Sequence, residues 1–86
     1  MLKIKFFGVL RKFGDERGYY ETSTRENMSV DALKTQLKSE LSQKFSKFDT
    51  ALIDESALAS ESEVLTLQSL IPTQGEIALL PPVCGG

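Results

Sequence analysis

The chain has 86 residues, 41% of them hydrophobic and 26% charged, with a formal net charge of −2. That describes one small domain of ordinary soluble composition, whose thin core must come from a few well-placed side chains. With no His and a single Cys, it lacks the commonest general base and cannot form an intramolecular disulfide or a Cys-rich zinc site.

One thiol and no basic-then-apolar leader point to a reducing, cytoplasmic location, and no apolar run approaches the length of a membrane span. All ten Lys and Arg lie between Lys3 and Lys47, among six acids; from Phe48 onward there are six acids and no base. The lysines sit among acids and make no basic stretch, so the footprint of a nucleic-acid binder is missing. Neither nucleic acid nor membrane is expected as a partner.

The opening residues Met1 to Phe7 alternate as a half-buried strand does. Leu2, Ile4 and Phe6 face one side, and Lys3, Lys5 and Phe7 the other. Gly8 ends that strand, and Val9 to Gly14 predicts a short helical turn with Leu10 and Phe13 spaced to pack. Asp15 to Gly18 reads as a turn. Tyr19 to Thr24 is rich in strand formers and predicts a strand pairing back on the first.

Ser29 is placed as an N-cap, with Asp31 at the positive end of the helix dipole. Val30, Leu33, Leu37, Leu41 and Phe45 then recur at helical spacing, while Lys34, Lys38, Glu40 and Lys44 fall off that stripe or at its edge. This is an amphipathic helix with one buried face. Thr50 to Ile53 predicts a third strand and Ala57 to Ala59 a short fourth element. Glu61 to Ile71 carries no clear period, and its leucines are expected to anchor a loop. A turn over Pro72 to Gly75 leads to a last strand, Glu76 to Leu80, with Ile77 and Leu79 on one face. Pro81 stops it, having no N–H for a ladder.

The fold class is therefore α+β. A hairpin, a helix crossing its face and a final strand returning parallel to the first make a β-grasp with about four to five strands in a mixed sheet. Residues 1–80 form the domain and residues 81–86 an extended tail.

The tail is Pro81-Pro82-Val83-Cys84-Gly85-Gly86. Two prolines fix φ, so the chain leaves the domain stiffly. Two glycines without side chains can thread a channel too narrow for other residues. Six extended residues reach roughly 20 Å, enough to deliver a terminal carboxylate into another protein's active site. Phe7 and Leu80 fall on the outward side of their strands and are expected to form an apolar docking patch at the root of the tail. Arg11 is a candidate to pair with an acid on a partner. The acids Asp54, Glu55, Glu61 and Glu63 read as a solvated face without a metal-ligand pattern.

Phe6-Phe7-Gly8 followed by Arg11, the central amphipathic helix, and the run from Gly75 through Pro81-Pro82-Val83-Cys84 to Gly85-Gly86 resemble the small, MoaD-type subunit of molybdopterin synthase. That family consists of ubiquitin-like β-grasp sulfur carriers. The resemblance implies that an ATP-dependent activating enzyme adenylates the Gly86 carboxylate and that a sulfur donor protein converts it to a thiocarboxylate. The tail, with Gly85 beside Gly86, then enters the large synthase subunit of a heterotetramer, where the sulfur attacks cyclic pyranopterin monophosphate. The carrier is then a non-catalytic, sulfur-donating subunit that binds no cofactor or metal itself; ATP is used by the activating enzyme. Phe7, Arg11, Leu80, Pro81, Pro82, Val83 and Cys84 are the residues implied to meet partners.

Cys84 invites a sulfur-relay role, but a reactive thiol needs a positive neighbourhood and no Lys or Arg lies beyond Lys47. A tolerated small side chain is the simpler reading. Other readings of the chain are a sulfur carrier for thiamine or cysteine synthesis, a ubiquitin-like modifier joined to lysines, or, from a different class, a β-grasp interaction module whose glycines are incidental.

Overall fold

The structure, a computed structural model, describes residues 1–81. In chain order it contains β1 (Leu2–Phe6), a 3-10 turn (Gly8–Phe13), β2 (Tyr19–Thr22), α1 (Val30–Lys44), α2 (Ala51–Asp54), β3 (Ala57–Ala59) and β4 (Gly75–Leu80). The four strands form one mixed sheet in the order β2-β1-β4-β3. β1 pairs antiparallel with β2, with Ile4 opposite Tyr20. It pairs parallel with β4, with Ile4 opposite Ile77 and Phe6 opposite Leu79. β3 closes the other edge antiparallel to β4. This is the ubiquitin-like β-grasp, an α+β fold with one main helix packed across the sheet.

The alternation of β1 explains the layer. Leu2, Ile4 and Phe6 are wholly buried, and Ile77, Leu79 and Leu58 join them from the neighbouring strands. Val30, Leu33, Leu37 and Leu41 on α1 close the core from above. Each such side chain contributes about 1.5–3 kcal/mol when fully removed from water, so this single seam supplies most of the drive to fold.

Ser29 caps α1 as its sequence position predicts, its Oγ accepting the Ala32 N–H at 3.1 Å. The next free amides are met from far along the chain. Val30 N–H donates to the Ser69 carbonyl at 2.9 Å and Asp31 N–H to the Leu67 carbonyl at 3.1 Å. The segment 61–71 is thus the loop that finishes the start of the helix. Leu65 and Ile71 anchor it on the core, whereas Leu67 and Leu70 are exposed and hold it through their backbone or that of their neighbours.

One expectation is corrected. Thr50 to Ile53 is not a strand: Ala51–Asp54 form a single helical turn. Asp49 Oδ1 accepts the Ala51 N–H at 2.9 Å, and the Thr50 carbonyl accepts from Ile53 and Asp54 at 3.0 and 3.1 Å. That local closure wins over a short apolar run, which carries no period of its own. Among the described residues the sheet has four strands, within the expected four to five. Lys34, placed off the apolar stripe or at its edge, is buried at that edge, at 8% exposure. Its stem follows the core face of α1 while its ammonium reaches backbone carbonyls at the end of α2.

Candidate functional site

The parallel pairing of β1 and β4 brings the finishing ends of both strands to one end of the sheet. One residue beyond the Phe6–Leu79 pair, Phe7 N–H donates to the Leu79 carbonyl at 3.3 Å. By the pleat, Phe7 and Leu80 lie on the face opposite α1. Both are half-buried, so the expected patch is less open than alternation suggested. The Lys5 ammonium lies 5.3 Å from the Phe7 ring and 5.6 Å from the Tyr19 ring, covering part of both. Leu80 is paired with Ala57 on β3, and Ala59 with Ala78. The outer face beside Leu80 is therefore a low shelf of alanines.

The 3-10 turn leaves this end of β1 and folds over it. Leu10 is wholly buried beneath. Phe13 meets Phe45 and Phe48 edge-on, with ring centroids 5.1 and 4.9 Å apart, and so ties the turn to the end of α1. Val9, in the same turn, is 59% exposed and is an apolar residue of this end that sequence reading missed. Its signal was there: it falls off the three-residue spacing that joins Leu10 to Phe13. Arg11 is exposed, with its side chain running over Gly18. Among the described residues the ion pair is Lys38–Asp54, at 2.7 Å, and Arg11 has none.

Gly8 begins the turn with φ of +58°, a conformation glycine adopts without steric cost. It is packed against Pro81: a Cβ at position 8 would stand 2.8 Å from the proline Cγ. The structure thus brings together Phe7, Gly8, Leu80 and Pro81 at one corner. Pro82, Val83, Cys84, Gly85 and Gly86 lie outside the described residues, and so does the chemistry expected of them.

Elsewhere the polar groups tie elements together. Asp15 Oδ1 accepts the N–H groups of Tyr19 and Arg17 at 3.0 and 2.8 Å, which holds its carboxyl below the usual carboxylate range. Tyr20 donates to Glu40 Oε1 at 2.6 Å, and Thr22 Oγ1 bridges both Glu40 oxygens at 3.1 and 3.0 Å. Burial, and then the bond to Glu40, raise the Tyr20 phenol above its ordinary value. Burial lowers Lys34. A depression of about 480 Å³ on β1 and β2 is lined by Lys3, Asp15, Glu16, Arg17, Tyr19 and Glu21 and shares no residue with the corner at Pro81. Among the described residues no group of three or more His, Cys, Asp or Glu could hold a metal ion, and no helix is long and apolar enough to cross a membrane.

No protein-family model matches the chain, and no curated protein matches it. Among solved structures, SAMP1 from Haloferax volcanii is similar over 99% of this chain and 98% of its own, with a TM-score of 0.65 and 20% sequence identity. At that identity the likeness is one of fold, and the fold is the ubiquitin-like β-grasp.

Proposed function

We propose that this chain is a sulfur carrier of molybdopterin biosynthesis, working through a free carboxylate on Gly86. The observation that supports the reading is the junction at Pro81. β4 ends at Leu80, at an end of the sheet where Phe7, Val9 and Leu80 offer apolar contact, and the sequence that follows it is Pro81-Pro82-Val83-Cys84-Gly85-Gly86.

A carboxylate is a poor electrophile. Adenylation by an ATP-dependent enzyme gives it a leaving group, and a sulfur donor displaces AMP to leave a thiocarboxylate. That sulfur is a soft nucleophile at a chain end, suited to attack cyclic pyranopterin monophosphate in a large synthase subunit. The acid–base groups for each step belong to the partners. Phe7, Arg11 and Leu80 dock the domain while Pro81, Pro82, Val83 and Cys84 carry Gly85 and Gly86 into the site.

The test is the intact mass of the chain after incubation with ATP, an activating enzyme and a sulfur donor. One sulfur-for-oxygen exchange localised to Gly86 is expected. Its absence with several competent activating enzymes would sink the carrier reading and favour an interaction module. Adding the pyranopterin substrate and the large subunit then separates molybdopterin synthesis from thiamine or cysteine pathways, and lysine-linked products would mark a modifier.

A further inference from the structure

We infer that Gly8 is a positioning residue for the tail: its bare Cα is the seat on which the Pro81 ring rests, and that seat sets the direction in which the chain leaves β4. Three observations carry this. Gly8 stands at φ +58°, and a Cβ there would lie 2.8 Å from Pro81 Cγ, 3.7 Å from Cβ and 3.8 Å from Cδ, so the ring covers the space a side chain would need. Phe7 N–H holds the Leu79 carbonyl at 3.3 Å, which fixes the two strand ends beside this contact. The turn that carries Gly8 is itself held down by buried Leu10 and by Phe13 against Phe45 and Phe48, so the seat is rigid from below.

The prolines convert a fixed ring into a fixed direction. Pro81 has its φ set by its own ring, and the following Pro82 confines Pro81 to extended ψ. Once the Pro81 ring is seated, the peptide leading out of it has few orientations left. A carrier whose tail starts in the right direction loses less conformational freedom on entering a partner's channel. That consequence rests on the carrier reading; the seating of the tail does not.

The single thiol, Cys84, offers a direct measurement. The full chain with Ser42→Cys on the exposed side of α1 is spin-labelled at positions 42 and 84, and the inter-label distance distribution is recorded by pulsed electron resonance. Gly8→Ala is expected to shift or broaden that distribution by several ångströms, because the methyl group unseats the ring. Gly75→Ala is the control. Gly75 also has a positive φ, +106°, but nothing lies within 4 Å of the Cβ position, so this variant carries backbone strain without touching Pro81. It is expected to lose stability and keep the wild-type distribution.

A folded Gly8→Ala chain with the wild-type distribution overturns the inference, as does a Gly75→Ala chain that changes it equally. If Gly8→Ala does not fold, Pro81→Ala decides: it withdraws Cγ and Cδ from the seat and must broaden the distribution, and an unchanged distribution overturns the idea. Sulfur loading is followed separately by mass. A wild-type chain that never gains sulfur ends the carrier reading while leaving the distance result standing.

Discussion

The Lys34 ammonium donates to the Ser56 carbonyl at 2.6 Å and reaches the Asp54 carbonyl at 3.4 Å, pinning the end of α2 and the start of β3 to the middle of α1. One side chain of α1 thereby holds the junction of α2 and β3, about twenty residues further along the chain. Lys34→Ala removes both the stem that fills this space and the donor to a buried carbonyl, and should cost about 2 kcal/mol. Lys38, one turn later, pairs with Asp54 in the open, and Lys38→Ala should cost no more than about 0.5 kcal/mol. Urea denaturation of both variants checks the contrast. Equal losses would mean that Lys34 contributes only a surface charge.

Tyr20 stacks on Phe6, with ring centroids 5.5 Å apart, and donates to Glu40. Tyr20→Phe keeps the ring and loses the donor, for an expected cost of about 1 kcal/mol. The pH dependence has a definite sign. Because the folded phenol titrates above its unfolded value of 10.0, its contribution is fully present below pH 10 and is lost as pH rises through the folded value. Thermal melts through the alkaline range should show that loss in the wild type and lack it in Tyr20→Phe.

Asp15 gives the opposite case at the acid end. Its carboxylate accepts two backbone N–H groups of the turn, so its folded value lies below 3.8. The contribution is present above pH 3.8 and is lost as pH falls through the folded value. Asp15→Ala should be less stable than wild type at neutral pH, and the gap should close in strong acid. A gap that stays constant through acid titration would mean that the carboxylate is not what closes this turn.

At the corner of the sheet, Phe7→Ala should leave the fold intact, since Phe7 is half-buried on the face away from the core. It should weaken binding to a large synthase subunit by about 2 kcal/mol, roughly thirtyfold, if the aromatic ring is an anchor of that interface. Calorimetric titration gives the number, and an unchanged affinity would remove Phe7 from the docking surface.

Cys84 and Gly86 should separate cleanly. No Lys or Arg follows Lys47 in the chain, so no nearby cation in sequence favours the Cys84 thiolate. Cys84→Ala should therefore retain most sulfur transfer, measured as thiocarboxylate formed and consumed. Deleting Gly86 should abolish it. Equal loss in both variants would make the thiol a participant.

Legibility followed the physics of each segment. β1, α1 and β4 were readable because each puts a regular apolar period onto one buried face, as Leu2, Ile4 and Phe6 or Leu33, Leu37 and Leu41 do. Asp15 to Gly18 and the Ser29 cap were readable because their hydrogen bonds are made within a few residues. Ala51–Asp54 was misread because three apolar residues in a row fit a strand or a helical turn equally. The decision came from Asp49 and Thr50, whose oxygens closed the turn. Glu61 to Ile71 was opaque for another reason. The hydrogen bonds that tie it to the start of α1 go to Met28, Val30 and Asp31, and no local pattern records partners so distant.

The sequence by itself determined the class of fold and the order of its elements, because hydrophobic period and capping chemistry are local. It also carries the motif on which the proposed carrier chemistry rests, Gly85-Gly86 after a double proline. Only the tertiary structure decided where Lys34, Glu40 and Asp54 spend their charge, since each finds its partner across a gap of sixteen residues or more. It alone seated Pro81 on Gly8. That contact joins the two ends of the described chain, and it exists because parallel pairing finishes β1 and β4 side by side.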